Sequence, residues 1–242
     1  MIIQDFSNLY NNIKKDLTFF GIIPLSTIIK NSSLNLNFLT KDEQIIFNRY
    51  KQKKSKMEFL GGRVLLKYCL IRALKKENYE INDFTDLNIV KNNDGSPCLY
   101  IHKKLPNLSI NFSISHKSDY IFCAVDTKHK LGIDVEKVNK NIIKIKSQFV
   151  SDNEEKIIEK ASKQENTSYL QHLIKIWTAK EASIKCYGVN SLFSALADIE
   201  LIDIKDNKYY LSYEVNEKKV TCQAITYLYT NYAFAYVIDK AI

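Results

Sequence analysis

The order of hydrophobic patterns along the 242 residues predicts an α+β fold of two comparable lobes. Two observations carry this expectation. Serine or threonine followed three residues later by glutamate opens several stretches of helical period. Short apolar runs bounded by turn residues lie before, between and after those helices. The resulting order is strand–helix–helix–strands, then strands–helices–strands.

Phe19 to Ile29 is apolar but contains Pro24, and reads as one or two buried strands. It is too short to span a bilayer. Leu34–Leu39 alternates apolar residues with Asn, the pattern of a half-exposed strand. Thr40-Lys41-Asp42-Glu43 is a capping box and predicts a helix to about Lys54. Ser55-Lys56-Met57-Glu58 predicts a second helix to about Lys76, with Leu60, Val64, Tyr68 and Ile71 on one stripe. Gly61 and Gly62 near its start allow either close helix packing or room for a ligand. A turn at Asn92–Pro97 separates the strands Leu87–Lys91 and Cys98–Ile101. Strands follow at Leu108–Ile114, Tyr120–Asp126 and Lys130–Glu136, the first two joined by a turn at Ser115–Asp119. Ser151-Asp152-Asn153-Glu154 opens a helix to about Ala161. Ser168 to Tyr187 is a longer helix with Leu170, Leu173, Ile174 and Trp177 on its core face, and Gly188 suits the position after its end. Asp198 to Ile238 reads as three or four antiparallel strands. The lobe boundary falls at the turn near Thr127–His129, giving lobes of 1–127 and 128–242.

Hydrophobic residues make up 45% and charged residues 26%, a balance that excludes a disordered chain. The net charge of +8 favours anionic partners but does not choose among phosphorylated cofactors, acidic proteins and nucleic acid. The basic residues are dispersed and no nucleic-acid-binding module is present, so neither a nucleic acid nor a membrane is the expected partner. Five scattered cysteines without C-x-x-C spacing argue against disulfides and zinc. The first residues carry Asp5 where a secretory signal carries Lys or Arg, and a cytoplasmic location is expected.

Three segments could carry chemistry. In Gly132-Ile133-Asp134-Val135-Glu136, strand alternation points both carboxylates the same way. Such a pair calls for a hard cation such as Mg²⁺, or lies at an exposed strand end beside surface lysines. In Trp177-Thr178-Ala179-Lys180-Glu181-Ala182-Ser183-Ile184-Lys185, the residues Trp177, Glu181 and Lys185 share a helix face. Taken alone this reads first as an ordinary amphipathic pattern with an i,i+4 Glu–Lys pair. In Asn111-Phe112-Ser113-Ile114-Ser115-His116, hydroxyls and an imidazole end a strand, either to hold phosphate or to satisfy the turn. His102, His129 and His172 have no such setting and read as surface or core residues.

In combination and order these segments resemble the 4′-phosphopantetheinyl transferases, specifically the larger single-chain type. The helix motif G-R-x-x-L-(R/K) is Gly62 to Lys67, and the G-K-P turn is Gly95-Ser96-Pro97. The segment F-(N/S)-(I/L)-S-H is Phe112 to His116, and G-(I/V)-D-(I/V)-E is Gly132 to Glu136. The helix W-(T/S)-x-K-E-(A/S)-x-x-K is Trp177 to Lys185. The resemblance spans about Thr40 to Gly188.

It implies two pseudo-symmetric α/β lobes enclosing coenzyme A, with Mg²⁺ held by Asp134, Glu136 and Glu181. It implies transfer of the phosphopantetheine arm of coenzyme A to a serine of an apo acyl or peptidyl carrier protein, releasing 3′,5′-ADP. Glu181 would accept the serine proton, and Lys185 and His116 would contact the phosphates. Ser113 and Ser115 line the same segment, and Lys180 is assigned to the cofactor or the carrier serine region. A monomer is implied, since one chain supplies both lobes. Ser96 replaces the family lysine of the G-K-P turn, with Lys91 as the compensating cation beside Gly95. Glu43 and Ile46 stand near positions that are basic in the family, so Arg49, Lys53, Lys54 or Arg63 can serve instead. The alternatives are a metal-dependent phosphohydrolase using the same carboxylates, and a basic nucleic-acid-binding protein.

Overall fold

The structure, a computed structural model, describes residues 2–30, 36–91, 97–102, 104, 108–165, 167–188, 196–215 and 218–240. It divides into two compact units, Asn12–Lys128 and His129–Ile242, the latter grouped with Met1–Asn11. Helix α1 (Ile2–Ile13) opens the chain. Among the described residues no helix is long and apolar enough to cross a membrane.

The unit Asn12–Lys128 contains β1 (Phe19–Pro24), α2 (Leu25–Lys30), α3 (Lys41–Arg49), α4 (Lys53–Lys76), β2 (Leu87–Lys91), β3 (Pro97–Ile101), β4 (Asn111–Lys117) and β5 (Tyr120–Asp126). Strands β1, β5 and β4 form an antiparallel sheet in that order, and β2 pairs with β3 in a separate hairpin. Helix α4 packs across the three-stranded sheet, burying Leu60, Leu66, Leu70, Ile121 and Cys123 among others. Gly61 and Gly62 make that approach possible: a Cβ on them would lie 2.3 Å from Ile121 Cδ1 and 2.6 Å from Ile114 Cδ1 respectively.

Several boundaries differ from the sequence expectation. Pro24 ends β1, and the chain then turns into α2 where a continued strand was expected. The described part of the expected strand Leu34–Leu39 contains a 3₁₀ turn at Leu36–Phe38. Two tertiary contacts hold it: the Phe38 ring stacks on Phe84 at 4.4 Å, and its carbonyl accepts Lys67 Nζ at 2.9 Å. The box at Thr40 forms as expected, but α3 stops at Arg49. Helix α4 begins at Lys53 with Gln52 as an uncapped N-cap, so the expected Ser55 box does not form. The start of α4 follows packing instead, with Met57 buried and Tyr50 against Phe59 at 5.5 Å. Strand β4 runs on through His116 to Lys117.

The second unit contains β6 (Lys130–Lys137), α5 (Asp152–Gln164), α6 (Tyr169–Tyr187), β7 (Glu200–Lys205), β8 (Lys208–Val215), β9 (Lys218–Tyr229) and β10 (Tyr232–Asp239). The antiparallel sheet order is β6-β10-β9-β8-β7. The expected capping box at Ser151 forms, a further box that the sequence reading did not name caps α6 at Ser168, and Gly188 closes α6 with φ +71°, a left-handed conformation that costs a glycine least. Helix α6 lies over β6, β10 and β9, and Leu173, Ile176, Ala179, Ala182, Ala233, Ala235 and Val237 fill the interface. Each unit thus repeats one plan, a long helix on an antiparallel sheet. All five cysteines are free. Burial pushes the Cys69 and Cys186 thiols up to about 12, which leaves them unreactive near neutrality.

Candidate active site

The second unit gathers Asp134, Glu136 and Glu181, with one oxygen of each lying within 4.8 Å of the others. The strand supplies two of them by alternation. Gly132, Asp134 and Glu136 share one face of β6, opposite Val237, Ala235 and Ala233 of β10. Gly132 sets how closely the helix approaches. A Cβ there would lie 1.9 Å from the Ala182 carbonyl oxygen and 2.4 Å from the Cys186 nitrogen. Only glycine lets α6 touch β6 at this point, and the contact brings Glu181 and Lys185 alongside Asp134. Sequence reasoning overlooked this role of Gly132. The available signal was its position two residues before Asp134 on the same strand face.

Asp134 is only 2% exposed, whereas Glu136 and Glu181 are half-buried. Lys185 Nζ donates to Asp134 Oδ1 at 2.6 Å and lies 4.0 Å from Glu181 Oε2. Three carboxylates against one ammonium leave a formal charge of −2. The donor set is all oxygen and its charge matches a hard divalent cation. Opposed oxygens around Mg²⁺ stand about 4.2 Å apart, so small side-chain adjustments suffice. The residues present therefore fit a magnesium-type ion. At the other end of the motif, Trp177 packs edge-on against Phe149 with ring centroids 5.0 Å apart.

Lys180 is placed differently from the expectation that it meets the cofactor. It is fully buried, donates to the carbonyls of Phe149 (2.5 Å) and Leu196 (3.2 Å), and pairs with Glu154 Oε1 at 2.7 Å. Burial lowers its pKa and Glu154 raises it in return. Glu154 also closes the Ser151 capping box and accepts from Leu201 N at 2.7 Å. This pair is a clamp inside the unit.

In the first unit, a cavity of about 710 Å³ is lined by Ile46, Tyr50, Ser55, Glu58, Phe59, Gly62, Arg63, Val90, Ile114 and His116. His116 Nδ1 lies 3.8 Å from Glu58 Oε1. The Arg63 guanidinium covers the Phe59 ring at 4.8 Å, and its Nε lies 3.6 Å from Glu43. Burial draws the Arg63 pKa down while Glu43 opposes it. Glu43 is itself fully buried, bonded to Lys67 at 2.6 Å and to the amides of Thr40 and Ile89. It organises the unit from behind the cavity wall.

The structure therefore brings His116 and Arg63 to one cavity. Ser113 and Ser115, expected beside His116, fall on the opposite face of β4 from Ile114 and His116, where both are 7% exposed. Arg49 is exposed at the end of α3, while its neighbours Ile46 and Tyr50 line the cavity. Gly95 and the Lys91 side chain lie outside the described residues. Glu58 is a site candidate that sequence reasoning passed over as a helix cap.

Both halves of the chain match known families. Residues 130–237 match the profile of the 4′-phosphopantetheinyl transferase superfamily, and residues 28–128 match that of the 4′-phosphopantetheinyl transferase N-terminal region. The 4′-phosphopantetheinyl transferase gsp of Aneurinibacillus migulanus is 31% identical over 71% of this chain and 70% of its own length. The 4′-phosphopantetheinyl transferase Sfp of Bacillus subtilis (strain 168) is 27% identical over 78% of this chain and 84% of its own. Among solved structures, a holo-(acyl-carrier-protein) synthase from Bacillus anthracis str. Ames, in complex with CoA (3′,5′-ADP), covers 44% of this chain and 90% of its own, with a TM-score of 0.37 and 24% identity. The chain belongs to the 4′-phosphopantetheinyl transferase superfamily. Within that class it is an enzyme of the larger single-chain type, carrying both matched regions on one polypeptide.

Proposed function

We propose that the chain transfers the 4′-phosphopantetheine group of coenzyme A to a serine of an apo acyl or peptidyl carrier protein, in a Mg²⁺-dependent reaction that releases 3′,5′-ADP. The observation that carries this reading is the meeting of Asp134, Glu136 and Glu181 beside Lys185, in a chain of this superfamily. Asp134, Glu136 and Glu181 would hold the magnesium ion, which when bound supplies positive charge to the phosphate oxygens of the donor.

The serine oxygen forms a bond to the phosphorus that bears pantetheine, and the bond from that phosphorus to the ADP oxygen breaks. Glu181 takes the serine proton, directly or through a water. Lys185 places its ammonium where negative charge builds on the departing 3′,5′-ADP. No covalent enzyme intermediate is required, so positioning and electrostatics supply the rate. In the first unit, Arg63 and His116 are the residues we assign to the phosphates of the donor. Lys180 keeps a structural role in this scheme. We also infer a monomer, because a single chain carries both family regions, and we keep the cytoplasmic location expected from the scattered cysteines and the acidic start of the chain.

The test is to mix the protein with an apo carrier, coenzyme A and Mg²⁺, and to weigh the carrier. A gain of one phosphopantetheine arm is expected. No gain with several carriers that the protein binds refutes the reading, and phosphate release from coenzyme A alone would replace it with hydrolysis. Glu181→Gln should slow transfer by roughly 10²–10⁴-fold while leaving the melting temperature nearly unchanged, because the amide is isosteric with the carboxylate and takes one negative charge out of a cluster of three carboxylates. Wild-type rates in that variant would remove Glu181 from the proton transfer.

A further inference from the structure

Lys185 and a divalent cation have claims on the same oxygen. Asp134 is 2% exposed, and a carboxylate so buried requires a cationic partner. Lys185 meets that need, its ammonium 2.6 Å from Asp134 Oδ1 and 4.0 Å from Glu181 Oε2. Asp134 and Glu181 are two of the three carboxylates that would hold the metal. An ammonium so placed cannot stay when a dication takes the same carboxylates, since like charges at contact distance repel strongly. Lys185 has somewhere to go. Its side chain is 30% exposed, sits near the C-terminal end of α6, and has four flexible methylenes.

We propose that Lys185 is an exchangeable counter-ion. It neutralises Asp134 until the divalent cation binds, and cation binding then releases its ammonium from the carboxylates toward the donor phosphates. This rests on reading the cluster as a metal site. It adds that metal binding and the delivery of Lys185 are one linked event. The charge that protects the empty carboxylates becomes available only once the cation has replaced it.

Mn²⁺ titration of the full chain, followed by the electron paramagnetic resonance signal of free Mn²⁺, tests this without coenzyme A or a carrier. Lys185→Met removes the competing charge and should bind Mn²⁺ roughly tenfold to a hundredfold more tightly than the wild type. Lys185→Arg keeps the charge and should bind it near the wild-type affinity. A second measurement needs no variant. Reductive methylation of the wild type, read by peptide mass spectrometry, should modify Lys185 several-fold faster with saturating Mg²⁺, while the exposed Lys160 is unaffected. Equal or weaker Mn²⁺ affinity in Lys185→Met overturns the exchange, as does Lys185 labelling that Mg²⁺ leaves unmoved. Absence of Mn²⁺ binding in every form overturns the metal reading together with the exchange, whereas the carrier mass assay judges the transfer reaction separately.

Discussion

His172 shows how one side chain ties stability to pH. It is fully buried in the second unit, with Nδ1 2.7 Å from the Tyr209 hydroxyl and Nε2 3.6 Å from Glu165. Burial, reinforced by Lys175, lowers its pKa from 6.5 to about 4. The folded protein therefore holds the ring neutral where the unfolded chain would protonate it. Its contribution is fully present above pH 6.5 and is lost as pH falls from 6.5 through 4. Over that window His172 should cost up to about 3 kcal/mol of folding free energy. His172→Gln cannot titrate and retains a partner for Tyr209. Urea midpoints measured from pH 7 to pH 4 should therefore fall less steeply in that variant, and identical slopes would show that His172 is not the group responsible.

At the scale of the element, helix α6 is positioned by a contact and a clamp. The contact is Gly132 against Ala182 and Cys186, which sets the distance from helix to sheet. The clamp is Lys180, whose three partners tie α6 to Phe149, Leu196 and the first turn of α5. Since Lys180 and Glu181 are adjacent, the rotation that buries one aims the other at β6. Lys180→Met leaves Glu154 buried without its counter-charge and should destabilise the protein by about 3–5 kcal/mol in urea unfolding. The double variant Lys180→Met with Glu154→Gln should recover much of that loss, because the buried charge is gone as well. If Lys180 instead held the cofactor, the single variant would keep wild-type stability and lose affinity for coenzyme A.

For the whole molecule, the charge of +8 concerns encounter and not fold. If the proposed carrier is acidic, long-range attraction contributes to its capture and is screened by salt. The KM for an acidic carrier should then rise by roughly tenfold between 50 and 500 mM salt. The KM for a carrier variant with its acidic docking helix neutralised should change little. Equal salt dependence for both carriers would show that the net charge plays no part in capture.

Motifs whose meaning is local were legible in the sequence. The boxes at Thr40 and Ser151 each concern a hydrogen bond within one turn, and both form. The alternation of Asp134 and Glu136 follows from the strand period alone. The box at Ser55 was misread because packing of Met57, Tyr50 and Phe59 competes with capping at the start of α4, and that packing reaches back to Tyr50, before the helix begins. Lys180 is placed differently from the expectation for a related reason. A lysine beside a catalytic-type glutamate looks like part of the same site, yet consecutive residues on a helix face about 100° apart. By itself the sequence determined the family, the α+β class and the residue types of the carboxylate centre, since these reside in short motifs and their order. Only the tertiary structure decided that Gly132 seats the helix, that Lys185 bonds Asp134, that Lys180 faces Glu154, and that Ser113 and Ser115 turn away from His116. Each of these depends on which face of an element meets a neighbour far away in the chain, and no local period carries that information.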